Sequence, residues 1–384
     1  MRVIQATFGT FHHFDLAREL ESLGQLACIY STYPMRRLQR EGVSPHLIRT
    51  FPWVQTSQIV VGRYLPLPVR LANWIGYANA LSFDRWLTRN LRPCDAYVAI
   101  TGCAVSSGKR AKELGAKYIC DRGSSHMRYQ DGILSEEFRR WGVEVWPSQP
   151  DKIERAEIEY AQADVITVPS EFVRRSFIEM GVPEDKLRKI PYGVRLERFQ
   201  KTAEPPRDSF DVLFAGTVSL RKGIPYLLEA FQRFRHPRKR LRIAGPVDLN
   251  MQSIFARFDM TGVEVLGRQP QTKLAELMSS SHVMVLPSIE EGLALVQGQA
   301  LACGCPLISS LHSGGEDLFT DGVEGFLVSI RSPEAILDRL SQLADDPDLR
   351  NRMSEAAQQR VKSLGGWKHY GQSFSTMLQE LTRK

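Results

Sequence analysis

The stretch from residue 283 to 310, VMVLPSIEEGLALVQGQALACGCPLISS, constrains the fold of this chain more than any other segment. It opens with an uninterrupted apolar run, Val283 to Leu286, which has the length of a strand buried on both faces. An acidic loop follows, and apolar residues then recur at helical spacing until Gly304 and Pro306 end the helix before a second apolar run. The segment predicts a strand, a loop, a helix that begins at about Leu293 and a second strand.

The start of this predicted helix suits a phosphate group. Its first backbone N–H groups, near Leu295 and Val296, have no intrahelical partner and lie at the positive end of the helix dipole. Glu291 lies in the loop before the helix, and Gln299 lies one turn below Leu295 on the same face. A carboxylate and an amide at these positions can accept hydrogen bonds from hydroxyls of a sugar and of a ribose. An ordinary helix start with solvated acidic side chains fits the same pattern.

At these residues the chain resembles the family-4 retaining glycosyltransferases of the GT-B fold, or glycosyltransferases group 1. Their signature is Glu and Gly, an apolar stretch, a second Glu after seven intervening residues, and a later Gly-x-Pro-Val-Ile. The chain has Glu291 and Gly292, Gln299 in place of the second Glu, and Gly304-Cys305-Pro306-Leu307-Ile308. The resemblance implies an α/β GT-B architecture, with two Rossmann-like domains whose parallel sheets face a central cleft. It also implies that Glu291 contacts the donor sugar and that Gln299 lies at the ribose.

A second loop carries two cations. Arg221 and Lys222 follow a predicted strand and precede Gly223 and a predicted helix, where cations can neutralise a leaving diphosphate. A solvated Arg-Lys pair on the surface is the alternative. The resembled family has an Arg and a Lys here that bind the diphosphate, and Lys222 matches the Lys. Thr217 occupies the Arg position, so we expect Arg221 to compensate. In the family, backbone groups after a later strand of the second domain bind the nucleobase. Here that position corresponds to Gly267 and Arg268.

Two loops of the first half of the chain carry histidines after predicted strands. His12 and His13 follow Gly9 and the strand Val3 to Thr7, and a glycine in such a loop allows close approach of a ligand. His12 and His13 could form hydrogen bonds with an acceptor hydroxyl, although a lone histidine pair in a loop is more often structural. The resemblance implies that Gly9 faces the donor diphosphate.

The other histidine loop follows the predicted strand Tyr118 to Asp121. Ligands of open parallel sheets bind at the carboxyl ends of strands, so Arg122 and His126 are expected to reach the cleft. We expect Arg122 to contact the acceptor. The resemblance implies that His126 touches the donor sugar, which makes it a predicted catalytic residue together with Lys222 and Glu291.

The chain is long enough for two domains, since each half of its 384 residues can bury its own core. We predict an acceptor-side domain over residues 1–200 and a nucleotide-sugar domain over residues 201–365. Residues 366–384 are expected to form a helix that crosses back to the first domain. Asp346-Pro347-Asp348 has the spacing of a D-x-D metal motif, but it lies between two helical patterns and predicts a cap.

The net charge of +7 fits a phosphate-bearing ligand, an anionic membrane surface or nucleic acid. Residues 31–70 interleave arginines with aromatic residues, which fits either a solvated basic rim or a surface for the acceptor or a membrane. Six cysteines without CxxC spacing predict reduced structural thiols. No signal segment or membrane-length apolar run is evident, so we expect a cytoplasmic protein. Peripheral contact with the inner face of the plasma membrane is an alternative that the sequence leaves open.

The predicted activity is transfer of a hexosyl group from a UDP- or GDP-linked sugar to a hydroxyl with retention of configuration, in bacterial surface glycan or glycolipid synthesis. The resemblance implies that the departing phosphate takes the acceptor proton, and that no metal or other cofactor is needed. The expected partners are the nucleotide sugar and a glycan or lipid-linked acceptor, without nucleic acid. A nucleotide-sugar epimerase, a non-catalytic sugar-nucleotide binder and a nucleic-acid-binding protein remain alternatives.

Overall fold

The computed structural model of the protein describes residues 1–53, 69–143, 150–194 and 197–383. Within these ranges the chain forms two parallel β-sheets. The strands of the first sheet are β1 Val3–Thr7, β2 Leu26–Ser31, β3 Ile48–Thr50, β4 Ala96–Ile100, β5 Lys117–Asp121, β6 Val165–Val168 and β7 Leu187–Lys189. Their spatial order is β3-β2-β1-β4-β5-β6-β7. The connecting helices are α1 His13–Ser22, α2 Met35–Leu38, α3 Val69–Asn90, α4 Val105–Glu113, α5 Met127–Arg140, α6 Pro150–Gln162 and α7 Glu171–Glu179.

The second sheet has six strands among the described residues. They are β8 Phe210–Ala215, β9 Lys239–Ala244, β10 Val263–Gly267, β11 Val283–Leu286, β12 Leu307–Ser310 and β13 Gly325–Val328, in the order β10-β9-β8-β11-β12-β13. The helices are α8 Ile224–Arg233, α9 Met251–Phe255, α10 Gln271–Ser279, α11 Val296–Ala302, α12 Pro333–Asp345, α13 Pro347–Ser363 and α14 Trp367–Thr382. The predicted α/β architecture of two Rossmann-like domains is confirmed.

Central strands such as β8 and β11 are largely apolar because both faces of each sheet are covered. In β1, Ile4 and Ala6 pack into a core on one side of the sheet, and Val3 packs into a different core on the other side. In β8, Val212 and Leu213 divide in the same way. Successive strand residues point to opposite faces, so a strand buried on both faces needs a continuous apolar run.

The central unit differs from its prediction at one point. The strand Val283–Leu286 forms as expected, but the helix begins at Val296 instead of about Leu293. The N–H of Ala294 donates to the carbonyl of Ser313, which holds this part of the chain in a loop. The contact with a distant loop therefore delays the helix beyond the position that apolar spacing indicates.

Two helices join the domains. The final helix, α14, lies on the first domain, where Phe374 and Leu378 are buried in one core with Phe14 of α1. Helix α5 follows a first-domain strand, yet its Leu134 is buried in the core of the second domain. The predicted domain boundary at residue 200 assigns α5 to the first domain, although Leu134 of α5 packs in the core of the second domain.

Other predicted features have simple structural outcomes. Asp346 accepts a hydrogen bond from the N–H of Leu349 and caps α13, as expected for its position between two helices. All six cysteines are buried and none is in a disulfide. Among the described residues, no helix combines the length and apolar character needed to cross a membrane. The predicted aromatic and basic stretch covers residues 31–70, and residues 54–68 of it lie outside the described residues.

Candidate active site

The two domains touch where the acidic loop after β11 meets the loop after β5. A Cβ added to Gly292 would overlap the carbonyl oxygen of Gly123, so the two backbones are in direct contact. Beside them, the Ser170 hydroxyl of the first domain donates to the carbonyl of Gly292 at 2.6 Å. The residues next to Gly292 therefore lie at the boundary between the domains, at the carboxyl ends of both sheets.

Lys222 and Glu291 come together at this boundary, as the predicted site requires. Gly223 has a φ of +68°, and a Cβ there would overlap the carbonyl of Pro287 at the end of β11. This close approach brings the loop before α8 against the acidic loop. Lys222 Nζ forms an ion pair with Glu291 Oε2, and Arg221 Nη2 lies 3.7 Å from Glu291 Oε1.

The charge on Lys222 is sensitive to its surroundings. Burial, together with the neighbouring Arg221 charge, lowers its pKa to about 7. Thr217, which stands at the position of a family arginine, is exposed at the start of the same loop. Arg221 and Lys222 are thus the cations that this loop presents beside Glu291, and a diphosphate bound there would favour the protonated form of Lys222.

Glu290, which was not among the sequence-predicted site residues, joins the two domains. Its side chain is fully buried, and Oε1 accepts hydrogen bonds from the Ser125 N–H at 3.0 Å and the Ser125 hydroxyl at 2.7 Å. Oε2 accepts from Gln130 Nε2 at 2.8 Å and from Arg221 Nε at 2.9 Å. Burial alone would raise the pKa of Glu290, but the Arg221 charge and these hydrogen bonds hold it below the usual value. An ionised carboxylate therefore links Arg221 to the first domain.

The predicted ribose position opens onto a cavity between the domains. A cavity of about 530 Å³ is lined by Leu295 and Gln299 of the second domain, Asp15 of α1 and Trp367 of α14. Gln271, at the start of α10, lines the same cavity. Gly267 is the last residue of β10, and the exposed Arg268 follows it in the loop before α10. Val296 is the first residue of α11 and is half-buried beside Leu295.

On the first-domain side, His12 and Asp121 form a close pair. His12 Nε2 lies 2.5 Å from Asp121 Oδ2, and Asp121 Oδ1 accepts a hydrogen bond from the Thr167 hydroxyl at 2.6 Å. The Tyr192 ring packs on the imidazole of His12 with 4.2 Å between ring centroids. Burial would raise the pKa of Asp121, but the charge and hydrogen bond of His12 lower it to about 2. Asp121 is thus an ionised buried carboxylate, which sequence reasoning treated only as the end of a strand.

His13 has a different environment from His12. Its side chain is fully buried, and Nε2 lies 3.3 Å from Asp121 Oδ2 without hydrogen-bond geometry. Burial, with a smaller effect of His12, lowers its pKa to about 3, so the ring is neutral. His13 therefore supports the His12–Asp121 pair from within the core. In contrast to the prediction, its buried side chain cannot reach an acceptor.

His12, His13 and Asp121 bring three metal-ligand atoms within 4.8 Å of one another. A histidine that binds a metal normally donates its other ring N–H to a carboxylate, carbonyl or water. Within the part of the chain that the structure describes, Nδ1 of the buried His13 has no hydrogen-bond partner. The three side chains therefore fit a hydrogen-bonded cluster better than a metal centre.

Three predicted residues lie in positions that differ from their predicted roles. His126 is buried, with its ring centroid 5.0 Å from those of Tyr160 and Phe177, and its Nδ1 accepts a hydrogen bond from the Arg128 N–H at the start of α5. Desolvation by burial lowers the pKa of His126 to about 4. His126 is thus a neutral helix cap in an aromatic environment.

Arg122 and Gly9 also have partners within the first domain. The Arg122 guanidinium donates to the carbonyl of Ser125 at 3.0 Å and to Gln130 Oε1 at 2.9 Å. It therefore orders the loop that carries Ser125 and is not directed towards an acceptor. The N–H of Gly9 donates to the Thr32 hydroxyl at 3.1 Å and is not available to a diphosphate in this arrangement.

Comparisons with known proteins agree with this architecture. Residues 12–198 match the family model described as Glycosyltransferase Family 4, and residues 196–360 match the one described as Glycosyl transferases group 1. The chain is 34% identical over 175 residues to a D-inositol 3-phosphate glycosyltransferase of Streptomyces griseus. That match covers 42% of this chain and only 37% of the relative's length.

Solved structures resemble the whole chain. Sucrose-phosphate synthase of Thermosynechococcus elongatus superposes with a TM-score of 0.72 at 19% identity, over 99% of both chains. HepE of Anabaena in complex with UDP superposes with a TM-score of 0.71 at 14% identity, over 99% of this chain and 100% of that one. The two family models together extend from residue 12 to residue 360, and both sheets have counterparts in these structures; the chain therefore belongs to the family-4, group 1 glycosyltransferases of the GT-B fold.

Proposed function

We propose that the protein transfers a hexosyl group from a UDP- or GDP-linked sugar to a hydroxyl acceptor. The transfer retains the configuration of the anomeric carbon and needs no metal ion. Its product belongs to a bacterial surface glycan or glycolipid. The observation that carries the proposal is the Lys222–Glu291 ion pair beside Arg221, at the domain boundary and next to a helix start that opens on a cavity.

Electrostatics support an anionic donor. Arg221 and Lys222 lie in one loop, and a diphosphate that approaches this loop meets two cations in a partly desolvated place. The same cations would stabilise the negative charge that develops on the departing phosphate. HepE, which shares the fold, was solved with UDP and with UDP-glucose, which supports a nucleotide sugar as the donor.

Glu291 supports recognition of the sugar. In the ion pair its carboxylate is satisfied by Lys222, and a bound diphosphate would compete for that ammonium. The carboxylate would then accept hydrogen bonds from sugar hydroxyls. Gln299 and Leu295, which line the interdomain cavity, would face the nucleoside, and Gln299 can accept and donate hydrogen bonds with ribose hydroxyls.

The first domain offers a surface for a lipid-linked acceptor and for peripheral membrane contact. Trp53 and Trp74 are 76% and 66% exposed, and Leu71 lies one helical turn before Trp74. Such residues enter the headgroup region of a bilayer, and the chain's positive net charge favours anionic lipids.

A non-catalytic sugar-nucleotide binder is the second candidate, and one observation favours it. Thr217 is exposed where relatives have a diphosphate-binding arginine, and Arg221 is held by Glu290 through Nε and Nη2. If Arg221 cannot leave Glu290, Lys222 acts on the diphosphate without a second mobile cation. Such a protein would bind the nucleotide without turnover.

The donor is tested by thermal unfolding with a panel of nucleoside diphosphates and sugar nucleotides. We expect one base to raise the melting temperature more than the others, and Lys222→Ala and Glu291→Ala to lose most of that shift. Lys273→Ala is the matched control, since Lys273 forms an exposed ion pair with Glu276 in α10. Equal shifts for the wild type and both site variants contradict the assignment. Transfer assays with the selected donor then separate an enzyme from a binder.

A further inference from the structure

Glu290 is a buried acid that holds Arg221 along one edge of its guanidinium. Glu290 Oε2 lies 2.9 Å from both Nε and Nη2 of Arg221, and the Glu290 carbonyl accepts a further hydrogen bond from Nε at 3.1 Å. The Glu290 side chain has no exposed surface, whereas that of Arg221 is 31% exposed. Within the part of the chain that the structure describes, Arg221 Nη1 has no hydrogen-bond partner. The guanidinium therefore keeps N–H groups for a further anion.

The free end of Arg221 lies beside the Lys222–Glu291 pair. Arg221 Nη2 is 3.7 Å from Glu291 Oε1, and Lys222 Nζ pairs with the other oxygen of the same carboxylate. The N–H of Ile289 donates to the carbonyl of Arg221 at 2.8 Å, which ties the cation loop to the acidic loop. Arg221 can thus meet an anion at this place without leaving Glu290. An arginine binds phosphate through N–H groups of its planar fork, so a fixed guanidinium plane favours this contact.

The first domain holds the Glu290 carboxylate in place. Oε1 accepts from the N–H and the hydroxyl of Ser125, and Oε2 accepts from Gln130 Nε2. Arg122 completes the arrangement, because it donates to Gln130 Oε1 and to the Ser125 carbonyl. A carboxylate that is held at both oxygens has one orientation. The guanidinium in hydrogen-bond contact with it is oriented by the same network.

We propose that Glu290 is a positioning residue for donor binding, which orients Arg221 so that the free end of its guanidinium meets the diphosphate; this inference rests on the proposed function and names the residue that positions its second cation. Ser125 and Gln130 in turn fix Glu290. Without this support, a long arginine side chain with many rotamers would have to be ordered when the donor binds. Residues of the first domain therefore contribute to how tightly the second domain binds the diphosphate.

Two other roles of Glu290 predict different results. If Glu290 competes with the donor for Arg221, its loss increases the contribution of Arg221 to donor affinity. If Glu290 is only a structural link, its loss changes donor affinity equally with and without Arg221. A positioning residue acts only through the side chain that it orients. A double-mutant cycle distinguishes these three cases, because it measures how far the effect of one residue depends on the other.

The cycle compares the wild type, Arg221→Gln, Glu290→Gln and the double variant. The measured quantity is the Kd of the sugar nucleotide that gives the largest thermal shift. We expect Arg221→Gln to weaken binding about tenfold in the wild-type background, because a charge-assisted contact with phosphate is lost. In the Glu290→Gln background the same change should weaken binding less than about threefold. Arg233→Gln is the matched control and should not change the Kd, since Arg233 forms an exposed ion pair with Glu334.

Ser125→Ala tests the first-domain part of the network without a change of charge, and it decides the question if Glu290→Gln does not fold. The variant removes the hydroxyl that donates to Glu290 Oε1 at 2.7 Å. We expect the Kd to rise about two- to fivefold, and not to rise in the Arg221→Gln background. Ser22→Ala is the control, because Ser22 is an exposed serine of the same domain. Melting temperatures without ligand verify that each variant is folded.

The outcomes separate this inference from the proposed function. A wild type that binds no sugar nucleotide, or an Arg221→Gln variant with an unchanged Kd, contradicts the proposed donor site. An effect of Arg221→Gln that is equal or larger in the Glu290→Gln background overturns only the positioning role of Glu290. A Ser125→Ala effect that is absent or independent of Arg221 overturns it as well.

Discussion

The two sides of the domain boundary differ in how they balance charge. On the second-domain side, Arg221 and Lys222 face two carboxylates, and each ion pair includes a partly exposed group. On the first-domain side, the single carboxylate of Asp121 is paired with imidazoles in an aromatic environment. Lys222 can exchange the partly exposed Glu291 for a diphosphate, whereas the Arg221 pair involves the fully buried carboxylate of Glu290. In the first-domain cluster the Asp121 carboxylate is buried, and both of its oxygens are engaged within that domain.

The contrast matches the two substrates of a glycosyl transfer. A charged donor needs cations that can be released from their resting partners, and an uncharged acceptor needs a directed hydrogen-bonding group. Gly123 touches Gly292 and Glu290 holds Ser125, so we expect the two sides to act together only while these contacts persist. Two substitutions should break these contacts between the domains. Two further experiments test the donor side.

Gly292→Ala should have the largest effect. The new Cβ would overlap the backbone carbonyl of Gly123, and no side-chain rotation relieves a contact between backbones. The domains must separate by an ångström or more, so we expect transfer to fall at least about 100-fold, and X-ray scattering to show a larger radius of gyration. Gly132→Ala in α5 is the control, because an added Cβ there meets nothing within 4 Å. Equal activity of the two variants would show that domain contact at Gly292 is dispensable.

Glu290→Gln should weaken the same link through charge. The buried Arg221 contact loses its anion, and we expect a loss of about 2–3 kcal/mol in the free energy of unfolding, measured with urea. Glu334→Gln removes the acid of an exposed ion pair with Arg233 and should leave the unfolding midpoint unchanged. A similar midpoint for Glu290→Gln and the wild type would contradict the interdomain role of Glu290.

Nucleotide binding should take up a proton above pH 7. The pKa of Lys222 is lowered to about 7, so its amine is mostly neutral at pH 8, and a bound diphosphate restores the charge. The groups that face it are Arg221, Glu290 and Glu291. We expect the affinity for the sugar nucleotide to fall up to about tenfold per pH unit above 7 and to be nearly constant below 6.

Calorimetry checks this proton uptake directly. At pH 8, titrations in two buffers of different ionisation enthalpy should give different apparent heats for the wild type and equal heats for Lys222→Ala. With a sugar nucleotide, whose diphosphate has no group that titrates near pH 6, the wild type should also give equal heats at pH 6, because Lys222 is already protonated. Buffer-independent heats at pH 8 would show that Lys222 does not change charge on binding.

Gln299→Glu should have the smallest effect. The change places the acid of the family signature on the wall of the interdomain cavity, where a carboxylate accepts stronger hydrogen bonds from ribose hydroxyls. We expect about three- to fivefold tighter binding of the nucleoside diphosphate. Gln271→Glu adds the same charge elsewhere in the cavity and should not tighten binding. If both variants bind alike, the position of residue 299 has no special role at the ribose.

The sequence predicted correctly those structural features that depend on neighbours along the chain. The apolar run at Val283–Leu286 predicts a buried strand, and the spacing from Glu291 to Gln299 predicts which side chains flank the helix start. It failed for groups whose partners are far away in sequence. Glu290 is adjacent to Glu291, but its role depends on Ser125 and Gln130, which are more than 150 residues away. His126 has the expected place in the sequence, yet two aromatic rings and a helix start bury it.

The sequence by itself determined the two parallel sheets, the order of strands and helices and the loops that meet at the carboxyl ends of the strands. These features follow from local patterns of apolar residues, glycines and prolines. Only the tertiary structure decided which acid pairs with which cation, and that His12 lies beside Asp121 whereas His126 caps a helix among aromatic rings. Burial and partner distance set the charge and orientation of each side chain, and both arise from contacts between segments that the chain itself keeps far apart.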